Sequence, residues 1–224
     1  MKAYSELYLE DAQENLGCMF DYAVNSQGMS LAEFFGMFVN SVLSTQFQRG
    51  NPWAVCGHSG VELAWIVEEE HSALNRVEPR LSDSSRSAEY WAGWALAYYQ
   101  WDSGLTFAQI AEAAPVEDVL AMYCPYHEMD LRHFCNRIDE LVAAAYRQTQ
   151  LQRRRLSVGF SQSQLAKASG VSVRTIQHYE QRQKDIGKAG YDQLLRLSQA
   201  LYCSPADLME PLDAQRYAYA VERF

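Results

Sequence analysis

The stretch from Gly159 to Glu180 reads GFSQSQLAKASGVSVRTIQHYE, and its punctuation decides the fold of the C-terminal third. Ser161 is an N-cap residue, and Gln164 three places later completes a capping box. Leu165 and Ala168 then fall on one helical face. Gly170 ends that helix by permitting a left-handed C-cap. Ser172 opens a second helix, whose inner stripe is Ile176 and Tyr179. The spacing therefore predicts two short helices joined by a turn of about four residues. The second helix leaves Ser172, Val173, Arg174, Thr175, Gln177 and His178 on the outside, side chains suited to base edges and phosphates.

This arrangement is a helix-turn-helix, and the sequence resembles its Cro/phage-repressor (Xre) type. The resemblance runs from about Leu151 to Glu210. It rests on Gly159, Ser161, Gln162, Leu165-Ala166, Gly170-Val171-Ser172, Ile176 and Glu180. The later runs Leu194 to Leu201 and Ser204 to Leu208 extend it over a whole small domain. The resemblance implies a five-helix domain binding double-stranded DNA. By it, Gln162 bonds a phosphate and braces the recognition helix, while Val173, Arg174, Gln177 and His178 face the major groove. Arg174 is the best base reader, because guanidinium is bidentate to guanine, a contact worth about 1–3 kcal/mol of discrimination. Thr175, Arg182 and Lys184 would hold the DNA backbone. Arg155 and Glu180 match the family's internal ion pair. The chain departs from the pattern at Arg154, where an apolar residue is usual, and at Arg182-Gln183, which replace a common Gly.

Charge divides the chain at the same place. The net charge is −9 over 224 residues, which taken globally opposes DNA binding. Residues 1–146 hold 7 Lys+Arg against 21 Asp+Glu, a balance of −14; residues 147–224 hold 12 against 7, a balance of +5. A basic DNA-binding module attached to an acidic partner module has this asymmetry. Three regions are expected: an acidic helical domain over 1–146, the helix-turn-helix domain over 147–210, and a tail over 211–224. In the tail, Ala214 to Val221 alternates with period two and suits a short strand that would need a partner edge. Otherwise the fold class is all-α.

The N-terminal region reads as successive helices: Ala3 to Val24, a strongly apolar one from Ser30 to Phe47, and one led by the Ser59–Glu62 capping box through about Leu74. The run Glu68-Glu69-Glu70 reads as a solvated face. Arg80 to Ser87 is a polar loop, and Ser87 caps a helix carrying Trp91, Trp94, Tyr98 and Trp101 on one face. That stripe is core, or else an aromatic ligand pocket or a partner-binding ridge. Gly104 to Val116 echoes Gly159 to Val171 in register. The echo is a structural copy of the helix-turn-helix without DNA contact, since Glu117 and Asp118 would repel phosphate, or a chance likeness of two capped helices. Met129 to Val158 reads as one long helix or two, giving a helical spacer.

No constellation carries chemistry. Cys124, His127, His133 and Cys135 are spaced wrongly to converge on one metal ion from a helix, and Ser59 is better explained as a cap than as a nucleophile. No metal, cofactor or enzymatic activity is expected. Five scattered cysteines suit free thiols. Without a signal peptide or an apolar span, the expected location is cytoplasmic. The function expected is a sequence-specific transcriptional regulator, a repressor acting as a homodimer. The alternative is an antitoxin whose N-terminal domain binds a toxin while the protein autoregulates its promoter. A third reading gives that domain a small-molecule ligand.

Overall fold

Every regular element in the described residues, 2–80 and 86–210 of this computed structural model, is helical. The expected loop at 81–85 and the expected strand in the tail lie outside them. The chain divides into two compact units between Leu141 and Val142.

The N-terminal unit is organised round α1 (Leu9–Asp21). A short 3-10 turn, Glu6–Tyr8, precedes it and a π-type turn, Tyr22–Ser26, follows, so the expected single helix from Ala3 is divided in three. Next come α2 (Leu31–Val39), α3 (Val42–Phe47), α4 (Pro52–Val55) and α5 (Gly60–Glu70). They are followed by α6 (Ala88–Ser103), α7 (Phe107–Ala113), α8 (Val116–Ala121) and α9 (Tyr123–Tyr126), and by α10 (Leu131–Ala145), within which the boundary between the units falls. α1 and α6 pack backbone to backbone through Gly17 and Gly93. A Cβ on Gly17 would lie 2.9 Å from Tyr90 O, and one on Gly93 would overlap Leu16 O. Ala92, Ala95 and Ala97 of α6 are fully buried as well, as are Phe20, Phe34, Phe38, Phe47 and Phe107. Phe38 meets Phe107 edge-on at 5.0 Å, a favoured geometry for aromatic rings.

Two expectations need correction here. The apolar helix from Ser30 breaks at Asn40–Ser41, because Ser41 Oγ accepts the Ser44 N–H at 3.0 Å and starts a new helix. The acidic run is not wholly solvated. Glu69 and Glu70 are exposed, but Glu68 is fully buried and accepts the Asn75 N–H at 3.0 Å. Glu70 accepts the Val42 N–H at 2.7 Å, an anion at the start of α3 where the helix dipole favours one.

The echo of the motif holds through its first helix and fails at the turn. Gly104 and Gly159 both take left-handed backbone, with φ of 74° and 80°. Thr106–Gln109 and Ser161–Gln164 form the same capping box. At the turn, Pro115 stands where Gly170 would be, with φ −50° against +69°. A proline ring cannot reach the left-handed region, so α8 starts two residues earlier in register than its counterpart.

The second unit holds α11 (Gln150–Val158), α12 (Gln162–Ser169), α13 (Val173–Glu180), α14 (Tyr191–Ala200) and a closing 3-10 helix, Pro205–Leu208. A further 3-10 helix, Ile186–Lys188, stands between α13 and α14. The expected spacer is two helices, interrupted at Tyr146–Thr149, where Thr149 caps α11 by accepting the Gln152 N–H at 3.1 Å. Leu151, Leu165, Val171, Ile176, Ile186, Leu197, Leu201 and Leu208 close one apolar core. Each such burial contributes about 1.5–3 kcal/mol against chain entropy.

Candidate nucleic-acid interface

The outward face of α13 is the centre of the candidate site. Ser172 caps the helix, accepting the Thr175 N–H at 3.1 Å and pairing with the Thr175 hydroxyl at 2.8 Å. Ile176, Tyr179 and Glu180 are buried. Val173, Thr175, Gln177 and His178 are half-buried, and Arg174 is exposed. Among the described residues Arg174 has no hydrogen-bond or ion-pair partner, so its five donors face water. Lys184, beyond the helix, is likewise exposed. Tyr179 donates its hydroxyl to Gln193 Oε1 at 3.0 Å, fixing α13 to α14.

A chain of buried hydrogen bonds holds the helix from behind. Arg155 donates Nε to Glu180 Oε1 at 2.6 Å and Nη2 to Oε2 at 2.9 Å, a bidentate pair whose side chains are 8% and 3% exposed. Arg155 Nη1 also donates to Phe160 O at 2.6 Å. Gln162, the first residue of α12, donates Nε2 to Glu180 Oε2 at 2.8 Å. The carboxylate admits only the amide nitrogen, so Gln162 Oε1 is left to accept Gln177 Nε2 at 3.3 Å. One hydrogen of Gln162 Nε2 remains for an external acceptor. Gln177, on the outer face, is thereby coupled through Gln162 to the ion pair.

Arg182, expected at the DNA backbone, is engaged by acceptors of its own unit. Its backbone is left-handed, φ +56°, at the position after the helix where glycine is usual. Its guanidinium donates Nη1 to Arg147 O at 3.0 Å and Nη2 to Tyr146 O at 2.6 Å, with Glu210 Oε2 at 3.4 Å. The side chain is 15% exposed. Both terminal nitrogens are thus held by protein acceptors, while buried Nε has no partner among the described residues; these bonds stabilise a backbone conformation costing about 1–2 kcal/mol. Glu210 also accepts the Gln150 N–H at 2.6 Å, at the start of α11. Arg154, the other departure, is exposed and donates Nη2 to Tyr202 O at 3.1 Å.

One cation beside the motif escapes a reading of the motif alone. Arg196 belongs to α14, yet its Nη1 lies 3.5 Å from where a Gly170 Cβ would stand. It pairs with exposed Asp192 at 3.0 Å. Only the tertiary packing of α14 against α12 brings it to the turn.

No group of three or more His, Cys, Asp or Glu among the described residues is placed to hold a metal ion. No helix among them is long and apolar enough to cross a membrane. A helix-turn-helix family model, of the Cro/C1 type, matches residues 151–208, and no family model matches the N-terminal region. No curated protein and no solved structure matches the chain. The C-terminal unit thus carries a DNA-binding domain of the class found in transcription regulators.

Proposed function

We propose that the protein is a sequence-specific transcriptional repressor that binds a near-palindromic operator as a homodimer. One observation carries the reading: α13 presents Arg174, unpartnered among the described residues, beside Gln177, while its inner face is locked by the buried Arg155–Glu180 pair. A rigid helix with free donors on its outer face is what direct readout in the major groove requires. In this reading Arg174 contacts guanine, Val173 a thymine methyl, and Gln177 or His178 a neighbouring base. Gln162, Ser172, Thr175 and Lys184 hold phosphate. Arg182 serves the fold of the domain instead. One such helix reads only a few base pairs, so a dimer on two half-sites supplies the specificity. Repression follows from occupancy of a promoter and needs no further surface.

The −14 balance of residues 1–146 lowers bulk attraction to DNA, so preference rests on few contacts. The test is selection of bound sequences from a random DNA pool at fixed salt, with the native chain and with Arg174→Ala. A near-palindrome should emerge, and Arg174→Ala should lose about 1–3 kcal/mol of discrimination at one symmetric base position. An unaltered preference in the variant would overturn the assignment of α13, and a single non-repeated site would overturn the dimer.

A further inference from the structure

We infer that the N-terminal unit contains a binding site for a small planar aromatic anion, an aromatic carboxylate in its simplest form. The inference does not rest on DNA binding. The cavity has a volume of about 310 Å³ and lies between the start of α6, the α8–α9 region and the start of α10. That is the lower end of the size range of ligand pockets, which suits a molecule of one or two rings. Its walls are Tyr90, Trp91, Trp94, Tyr123 and Tyr126, closed by Met129 and Leu131.

The rings are held in place. Trp91 meets Tyr123 edge-on at 5.7 Å and Phe134 at 5.3 Å, and His127 stacks on Tyr123 at 4.1 Å. His127 is fixed in turn by Nδ1 against Tyr123 O at 2.8 Å. Of the three indoles outside the cavity two are partnered, and exposed Trp53 has no acceptor for its N–H among the described residues. Trp65 Nε1 donates to Tyr22 at 2.8 Å, and Trp101 Nε1 to Tyr4 O at 3.0 Å. The cavity's own Trp91 and Trp94 have no acceptor for their N–H among the described residues.

The polar equipment of the cavity points to the charge of the occupant. Arg86 lies at the rim with its guanidinium 4.7 Å from the Tyr90 ring, and it has no carboxylate partner among the described residues. Indole N–H and guanidinium donate and never accept. Among the described residues no Asp or Glu lines the cavity, although residues 1–146 hold 21 of them; Glu128 Oε1 stands 3.6 Å from Nε2 of the lining His127. A cation would find π faces but also an arginine with no carboxylate partner, and no carboxylate in the lining, among the described residues. A flat apolar body stacks between rings, and its carboxylate meets Arg86 and the indole donors in charge-assisted hydrogen bonds. The acidic surroundings slow entry of an anion but are screened beyond about 8–10 Å at physiological salt.

The experiment is isothermal titration of the full chain with three probes of one shape: 2-naphthoate, 2-naphthamide and 2-naphthylmethylammonium. The carboxylate should bind at one site, the amide about tenfold more weakly, and the ammonium not measurably. Arg86→Gln, a change at an exposed residue outside the helices, should bring 2-naphthoate down to the affinity of the amide. Trp94→Leu should abolish binding of both, with melting of the variant checked by far-UV circular dichroism. Equal binding of ammonium and carboxylate, unchanged affinity in Arg86→Gln, or no binding of any probe at 1 mM would each overturn the assignment.

Discussion

Replacing Arg155 by Met would strand Glu180 in the interior. Its side chain is 3% exposed, and both its oxygens are engaged by Arg155, one of them also by Gln162. Breaking a buried pair by removing one partner costs about 3–5 kcal/mol. A unit of about 70 residues has a total stability of ~4–10 kcal/mol, so the single change removes a third or more of it. The paired replacement Arg155→Met with Glu180→Leu removes both charges. It loses about 1 kcal/mol at Gln162, and the apolar pair returns an amount of similar size, leaving the double variant within about 2 kcal/mol of the parent. The chain supplies its own control, because all five tryptophans lie between Trp53 and Trp101, in the other unit. Urea unfolding followed by tryptophan fluorescence should be unchanged in both variants. Far-UV circular dichroism should show a separate, earlier transition for Arg155→Met, lowered by roughly 2–3 M urea for a slope near 1.5 kcal/mol/M. A single variant costing less than about 1 kcal/mol, or a double variant as unstable as the single, would refute the account of the pair. The double variant should also bind DNA less tightly than its stability suggests, since Gln162 and Gln177 lose their anchor.

Other outcomes follow from the same geometry. Gly93→Ala forces a methyl into Leu16 O; it should destabilise the N-terminal unit by about 3 kcal/mol or more, read as an earlier loss of tryptophan fluorescence on heating. Cys56 and Cys124 are exposed, whereas burial first, and Asp102 and Asp139 next, push the Cys135 thiol up to about 12. Alkylation at pH 8 followed by peptide mass spectrometry should therefore modify the two exposed thiols long before Cys135, and equal rates would contradict its burial. Hydrogen bonds from the Ser204 backbone and side chain hold Asp207 below the usual carboxylate range. A depressed native value means that the contribution to stability is present above the unfolded value and fades as pH falls through the native one. Asp207→Asn should flatten the acid limb of the second unit's stability curve; an unaltered slope would dismiss the cap as its source.

Local chemistry made much of this fold readable in advance. The capping boxes at Ser59–Glu62 and Ser161–Gln164 each use a pair three residues apart and stand where expected. The Arg155–Glu180 pairing came through the family resemblance and could not have come from spacing, since 25 residues separate the partners. What escaped the sequence is what depends on remote neighbours. Ser41 breaks an apolar run whose periodicity continues on both sides of it. Glu68 belongs to a charge run yet faces inward, because helix α5 turns one of three successive residues to the core. The stripe of Trp91, Trp94, Tyr98 and Trp101 divides between uses: Trp101 is core, and Trp91 and Trp94 line the cavity. The opposite wall of that cavity, Tyr123 to Leu131, arrives from some thirty to forty positions away. Arg182 reads as a basic residue past a recognition helix, and nothing local shows that its donors are taken by the carbonyls of Tyr146 and Arg147.

That last arrangement bears on where the DNA-binding domain could be cut out and moved. The recognisable family pattern begins at Leu151, and a chimera joined there carries the whole of that pattern. It would leave behind both carbonyls that hold Arg182, together with Thr149, which starts α11. The transplanted turn after α13 would then keep its strained arginine and lose what stabilises it. A graft that begins no later than Tyr146 carries its own brace; one that begins at the motif borrows whatever the new host happens to place there.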